Sequence, residues 1–159
     1  GRGVASVAEE HLATATAGRL VSVLYSRMSP GTADRRGSAI VGAVVNEHHE
    51  LGARILADLM ELDGWDVVFL GASTPVEDLV SMVERTRPDR LMLSVSLLFN
   101  LQMARLVTEV VREKDLLSHV RILVGGQAFR WGDELHRKVG ADGWARDARE
   151  AVALASSIT

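Results

Sequence analysis

The chain predicts an α/β fold: a doubly wound sheet of five parallel strands, preceded by one helix of a helical cap. Three observations predict it. Four short apolar runs, beginning near residues 37, 65, 90 and 120, and a short fifth strand within GADGWARD alternate with segments of helical period, as successive strand–helix units do. The first, GSAIVGAVV, is apolar almost from end to end rather than on alternate residues, which suits a strand covered on both faces. Breakers fall between the units, at Asp63-Gly64, Arg87-Pro88 and Gly125-Gly126, where a chain must reverse.

Taken in order, VASVAEEHLATATAGRLVSVLYSRM has no proline and sets Val4, Val7, Ala8, His11, Leu12, Ala15, Leu20, Val23 and Leu24 near a 3.6-residue period. That predicts one amphipathic helix within residues 1–29. Ser29-Pro30-Gly31 stops it, and the charged, turn-forming residues 30–36 make a linker. GSAIVGAVV (37–45) is the first strand, and residues 50–62 form the helix after it. WDVVFLG (65–71) is the second strand; Ser73 or Thr74 before Pro75 then starts a helix over 75–86, with proline near its first position. RLMLSVSL (90–97) is the third strand, and Asn100 caps a helix reaching about Lys114. VRILVGG (120–126) is the fourth strand, with a helix near 131–139. GADGWARD carries a short fifth strand, and EAVALASS lies in the closing helix. Ligands of such sheets bind beyond the carboxyl ends of the strands, where the strand order reverses. NEHHELG (46–52) and the turns after strands three and four therefore share one rim.

Composition narrows the chemistry. Of 159 residues, 47% are hydrophobic and 25% charged, ordinary for a globular domain with its own core. Eighteen basic residues against 21 acidic give a net charge of −3, so no overall basic field argues for nucleic acid or an anionic membrane. The chain has no cysteine, which excludes disulfides, thiolate zinc sites and thiol nucleophiles. No apolar run is long enough to span a bilayer, and a cytoplasmic location is the expectation. The abrupt start at Gly1 in helix-like sequence fits a piece of something longer.

NEHHELG gathers more ligand-type side chains than any other stretch. A solvated polar turn is the plain alternative. Neighbouring residues on a helix point about 100° apart, so His48 and His49 do not grip one ion together. The i, i+4 histidines of HExxH are missing, as is a GxxxxGK[ST] loop, and Gly1-Arg2-Gly3 follows no strand. Zinc hydrolysis and the usual phosphate cradles are thereby disfavoured. What remains is Glu47-x-His49-x-x-Gly52, then 41 positions (53–93) to Ser94, and 26 positions (99–124) between Leu98 and Gly125-Gly126.

This three-part pattern resembles the cobalamin (B12)-binding domain shared by methionine synthase, mutases and corrinoid carriers. Their motif reads DxHxxG, SxL and GG with spacers of this order, and the resemblance covers roughly residues 37–159. It implies a Rossmann/flavodoxin-like B12-binding fold holding cobalamin with its own base displaced and its nucleotide tail threaded into the sheet. Carried across residue by residue, it makes His49 the lower cobalt ligand, neutral imidazole being a good donor. Glu47 would accept a hydrogen bond from the other ring nitrogen. Gly52 would leave room for the ring or tail, Ser94 or Ser96 would line the tail, with Leu98 at the end of the middle motif, and Gly125 and Gly126 would let it pass. His48 has no role and is solvated. Two departures stand out. Glutamate replaces the usual aspartate, reaching one methylene further. Ser94-Val95-Ser96 has serine where leucine belongs, whereas Ser96-Leu97-Leu98 fits SxL two residues late.

VAEEHLAT, in the first helix, looks like the last cap helix of the light-sensing, adenosylcobalamin-dependent MerR-type (CarH-like) regulators. There a tryptophan, nine residues and Glu-His lie over the upper face of the cofactor. Glu10-His11 match the second half, and the tryptophan would fall just before Gly1. The resemblance implies a cobalamin-binding sensory module that is not an enzyme: a light-responsive photoreceptor regulating a linked output. Glu10 would lie near the adenosyl group, and His11 would take the upper cobalt position after photolysis. It further implies a homo-oligomer whose state follows light, and DNA contact only through a domain outside this chain. The alternatives are a corrinoid carrier protein of a methyltransferase system, a photosensor also binding a linear tetrapyrrole (bilin) without a thioether, and a Rossmann-like domain that has lost its ligand. The carrier predicts Asp in the first motif and no Glu-His pair. Phe129 and Trp131 read as packing or interface residues, and Trp65 and Trp144 as cover for the sheet.

Overall fold

The computed structural model describes residues 6–28, 35–132 and 134–158. The start of the expected first helix at Val4 and most of the expected linker lie outside the described residues.

Five parallel strands form one sheet in the order β2-β1-β3-β4-β5: β1 Gly37–Ala43, β2 Trp65–Phe69, β3 Arg90–Ser94, β4 Arg121–Gly125 and β5 Gly143–Ala145. The connecting helices are α2 Leu51–Leu62, α3 Val76–Thr86, α4 Leu101–Arg112, α5 Leu135–Lys138 and α6 Ala148–Ser157, with α1 Val7–Tyr25 before the sheet. The order reverses between β1 and β3, so the switch-point crevice lies over the loops that leave these two strands.

The register sorts the side chains into two layers. Ile40, Leu91 and Ile122 stand in one row across β1, β3 and β4, and the next residues, Val41, Met92 and Leu123, in another. Because successive strand residues face opposite ways, the first row packs under α3 and α4 with Leu79, Val83, Val107 and Val111. The second packs under α2 and α6 with Ala53, Ala57, Met60, Ala151 and Ala155. Arg90, at the start of β3, holds α6 in place. Its guanidinium donates to the carbonyls of Ala155 (2.9 Å) and Ile158 (2.6 Å), covering orphan acceptors at that helix end, and lies 5.4 Å from the Trp65 ring centroid.

Helix α1 begins with a capping box in which Ser6 and Glu9 bond each other's backbone N–H, which leaves Glu10 and His11 free to face elsewhere. None of its residues is buried; the Tyr25 hydroxyl donates to Glu61 of α2.

Several expected elements are corrected. The third strand stops at Ser94 rather than 97, because the N–H groups of Ser96 and Leu97 turn to the Glu47 carboxylate instead of continuing the ladder. Neither Ser73 nor Thr74 caps α3, whose first residue follows Pro75 directly. Ser73 sits at φ +48°, and its hydroxyl accepts the Asn46 N–H. The helix expected near 131–139 is reduced to Leu135–Lys138, behind a 3-10 segment at Gln127–Trp131. Asn100 makes no capping bond; its side chain reaches the rim instead.

Candidate functional site

The site grows out of the sharp turn that ends β1. Asn46 adopts φ +65°, a left-handed conformation that asparagine tolerates better than most residues, and the turn drives Glu47 back beneath the rim. Glu47 is completely buried. Its carboxylate is saturated with donors: Oε1 takes the His49 Nδ1 at 2.6 Å and the His49 N–H at 3.2 Å. Oε2 takes the Ser96 and Leu97 N–H groups at 2.7 and 3.1 Å and the Asn100 amide at 3.3 Å. One carboxylate thus touches His49 on the first loop and the third-strand loop at once. Burial pushes the Glu47 carboxyl up, but hydrogen bonds from the His49 ring and from the Ser96, His49 and Leu97 N–H groups outweigh it and hold it below the usual carboxylate range.

An ionised carboxylate can only accept, so His49 carries its proton on Nδ1. No hydrogen bond from the described residues reaches Nε2, and the side chain is 53% exposed. That is the arrangement of a histidine offered to a metal: one ring nitrogen fixed by a carboxylate, the other free. His48 is exposed, as expected of a solvated neighbour.

Two cavities meet here. One, of about 450 Å³, lies between α1 and the rim and is lined by Glu10, His11, His48, His49, Gly52, Ser94, Ser96 and Gly126. The other, of about 160 Å³, runs between the sheet and helices α2 and α6, lined by Gly52, Leu56, Met92, Ser94, Gly125, Gly126, Ala145 and Ala151 among others. Gly52, Ser94 and Gly126 line both. A Cβ on Gly52 would meet nothing within 4 Å; it would project into this open space. Gly126, at φ +104°, is needed for another reason, since a Cβ there would collide with the Val95 carbonyl. The structure thus brings nine of the ten expected site residues to one place: Glu47 below, the other eight around the cavities. Leu98 is apart, on the 3-10 turn Leu98–Asn100 and about half exposed. Of the two serines, Ser94 reaches both cavities and Ser96 only the upper one.

Sequence reasoning missed Asn100, which it assigned to a cap, and the small residues Ala145, Ala148 and Ala151 that border the lower cavity. Alanine every third residue carries no signal of its own, since an ordinary helix uses it as readily. Among the described residues no group of three or more His, Asp and Glu side chains is arranged to hold an ion. A metal held here through His49 alone brings most of its ligands with it.

An open α/β domain with a carboxylate-fixed histidine over a small-residue slot at its switch point is a cofactor-binding domain by construction. The family model described as B12 binding domain matches residues 37–153, and the chain belongs to that family. It is 30% identical over 140 residues to dimethylamine corrinoid protein 3 of Methanosarcina acetivorans, covering 87% of this chain and 64% of that protein. The fold resembles the Methanosarcina barkeri monomethylamine corrinoid protein, with a TM-score of 0.86 at 19% identity over 98% of this chain and 73% of that one. It also resembles a chain of the methanol:cobalamin methyltransferase complex MtaBC of the same organism, with a TM-score of 0.69 at 19% identity over 99% of this chain and 60% of that one. Among the described residues no helix is long and apolar enough to cross a membrane.

Proposed function

We propose that this chain is the cobalamin-carrying part of a methyl-transfer system, presenting the cofactor to partner methyltransferases and performing no turnover of its own. The observation that carries the reading is the buried, donor-saturated Glu47 holding the His49 ring with Nε2 free at a cavity mouth. Relatives support the methyl-transfer role: one curated relative is a dimethylamine corrinoid protein, and one solved neighbour belongs to a methanol:cobalamin methyltransferase complex. The light-sensing role expected from the first helix yields first place to the carrier on that ground.

The residues fit the cofactor. His49 would hold its cobalt through Nε2, and Glu47 would keep the ring's tautomer and orientation. Ser94, Gly125 and Gly126 border the slot that takes the nucleotide tail, and Gly52 keeps the junction of the two cavities clear. When bound, the corrinoid supplies a cobalt that accepts and gives up a methyl group. The chain's contribution is to hold that group in one orientation and leave its upper side to a partner.

Purified protein given hydroxocobalamin should take it up and show a spectrum altered by His49→Ala. A methylamine- or methanol-specific methyltransferase should then methylate the loaded protein. Loading that is indifferent to His49 would sink the ligand assignment.

One observation favours a second reading. Glu10 and His11 line the same cavity as His49, which places a second imidazole where a sensor would hold adenosylcobalamin. Green light on the adenosylcobalamin complex decides it. A stable product lost in His11→Ala, with no methyl acceptance from any partner, would replace the carrier by the sensor. A long-wavelength band that survives removal of cobalamin would point to a bilin.

A further inference from the structure

The lower cavity changes character along its length. At its mouth stand Gly52, Ser94 and Gly126, which it shares with the cavity under α1, together with Arg146 and Asp147 at the start of α6. Two residues back from Ser94 and Gly125, on the same face of the sheet, Met92 and Leu123 align with each other and with Val41 of β1. These three close the inner end with Leu56 of α2 and Ala151 of α6. Among the described residues the polar side chains on the lining are Ser94, Arg146 and Asp147, all toward the mouth. Two of them are already engaged: Arg146 Nε donates to Glu150 at 3.1 Å, and Asp147 accepts the Glu150 N–H at 2.9 Å. Deeper in, the backbones of β1, β3 and β4 are committed to a sheet neighbour on either side. A group lodged at the inner end therefore meets methyl, methylene and thioether surface, and no lining side chain that can hydrogen-bond to it.

Such a surface sorts nucleotide bases. A benzimidazole turns a carbon edge toward it, whereas adenine carries an exocyclic amine with two donors and additional ring-nitrogen acceptors. Each polar group buried without a partner forfeits its hydration. We propose that Val41, Met92 and Leu123, under Leu56 and Ala151, make this chain selective for the tail of its cofactor: cobamides whose base is a benzimidazole enter the slot, and those whose base is adenine are rejected. The proposal deepens the carrier reading and rests on it, since it takes the tail to occupy this cavity. Benzimidazole is also the better cobalt donor and costs more to displace, so the free cofactor's own bias runs the other way. The net preference for the benzimidazole form should be about tenfold, near the low end for leaving a buried polar group unpaired.

Three probes share one corrin ring: hydroxocobalamin, its adenine-base counterpart, and diaquocobinamide, which has no nucleotide tail. Titration of the wild-type protein should show hydroxocobalamin bound about tenfold more tightly than the adenine form. Met92→Gln puts an amide donor and acceptor at the inner end with little change of length. It should shift that ratio about tenfold toward adenine and leave cobinamide binding unchanged. Ala151→Ser, on the helical wall, should move the ratio the same way by less, and it carries the test if Met92→Gln does not fold. Equal wild-type affinities for the two bases, or a ratio that neither variant moves, overturns the proposal. So does cobinamide that binds as tightly as hydroxocobalamin with a spectrum still altered by His49→Ala, because the histidine would then be on cobalt and the tail outside the slot. Failure of the carrier reading looks different: no probe is taken up, or uptake is indifferent to His49, and the proposal falls with it.

Discussion

The two faces of the sheet are built to different rules. Under α3 and α4 the layer is large and branched, with Ile40, Leu79, Leu91, Leu93, Val107 and Ile122 at 2% exposure or less. Under α2 and α6 the corresponding positions are mostly alanine, at 39, 53, 57, 145, 151 and 155, and the larger members are Met60, Met92, Leu123 and Trp65. The first face is filled with large side chains; the second leaves the 160 Å³ cavity, which shares Gly52, Ser94 and Gly126 with the cavity that His49 lines. Close packing is the norm in protein interiors, so a layer that forgoes it beside a presented histidine has a ligand to accommodate. Polar clamps compensate in part, Arg90 on the end of α6 being the clearest.

The largest test of that contrast is on the packed face. Leu79→Ala should cost about 2–5 kcal/mol of stability, the loss of a buried leucine plus the cavity it leaves, read as a shift in the urea midpoint. Cobalamin affinity of the folded protein should hardly change, because Leu79 touches neither cavity. A matching loss of affinity would mean that the two faces are not independent.

Next in size is Ala151→Leu on the open face. Overpacking a filled core costs about 1–3 kcal/mol, but here the new side chain enters existing space, so stability should move by less than about 1 kcal/mol. Binding of cobalamin should drop on the order of 100-fold, about 2.7 kcal/mol. Unchanged affinity by titration would show that the tail does not use this slot.

The packed face was legible in the sequence and the open one only partly. Apolar runs such as RLML and RILV declare strands wherever they fall, and helical periodicity located α2 to α4. Strand ends were overrun by one to three residues because the sequence of SVSL is strand-like throughout. What stops β3 is a carboxylate from another loop claiming the Ser96 and Leu97 N–H groups, a tertiary event with no local signature. The same carboxylate explains Asn100, whose position before a helix looks like a cap until Glu47 is seen beside it. Glu47, His49 and Gly52 were legible because their spacing is local. The alanines of the lower cavity were not, since alanine is as much at home in an ordinary helix.

Glu47 sits where the two faces meet the rim, and its titration should appear in the acid limb of stability. Against the upward push of burial, hydrogen bonds from the His49 ring and from backbone N–H groups hold its folded-state pKa below the ordinary glutamate value of 4.5. It therefore adds stability that is fully present above about that pH and is lost as pH falls through the folded value. Urea midpoints between pH 6 and pH 3 should fall more steeply for wild type than for Glu47→Gln, which has no charge to lose. Parallel curves would mean that the carboxylate is not held ionised by its donors.

The smallest effect should be the most telling, because it has two signs. Gly52 stands in the first turn of α2 with a backbone that any residue can adopt, and an added Cβ meets no atom within 4 Å. Replacing a helical glycine by alanine at such a position stabilises by about 0.4–1 kcal/mol, chiefly by restricting the unfolded chain. Gly52→Ala should therefore raise the melting temperature of the cofactor-free protein slightly. The same methyl group enters the junction that both cavities share, so cobalamin affinity should fall, by about threefold or roughly 0.65 kcal/mol. A gain in stability with undiminished binding would remove Gly52 from the cradle. Opposite signs would identify it as a position where helix stability is given up to keep a cofactor's path clear.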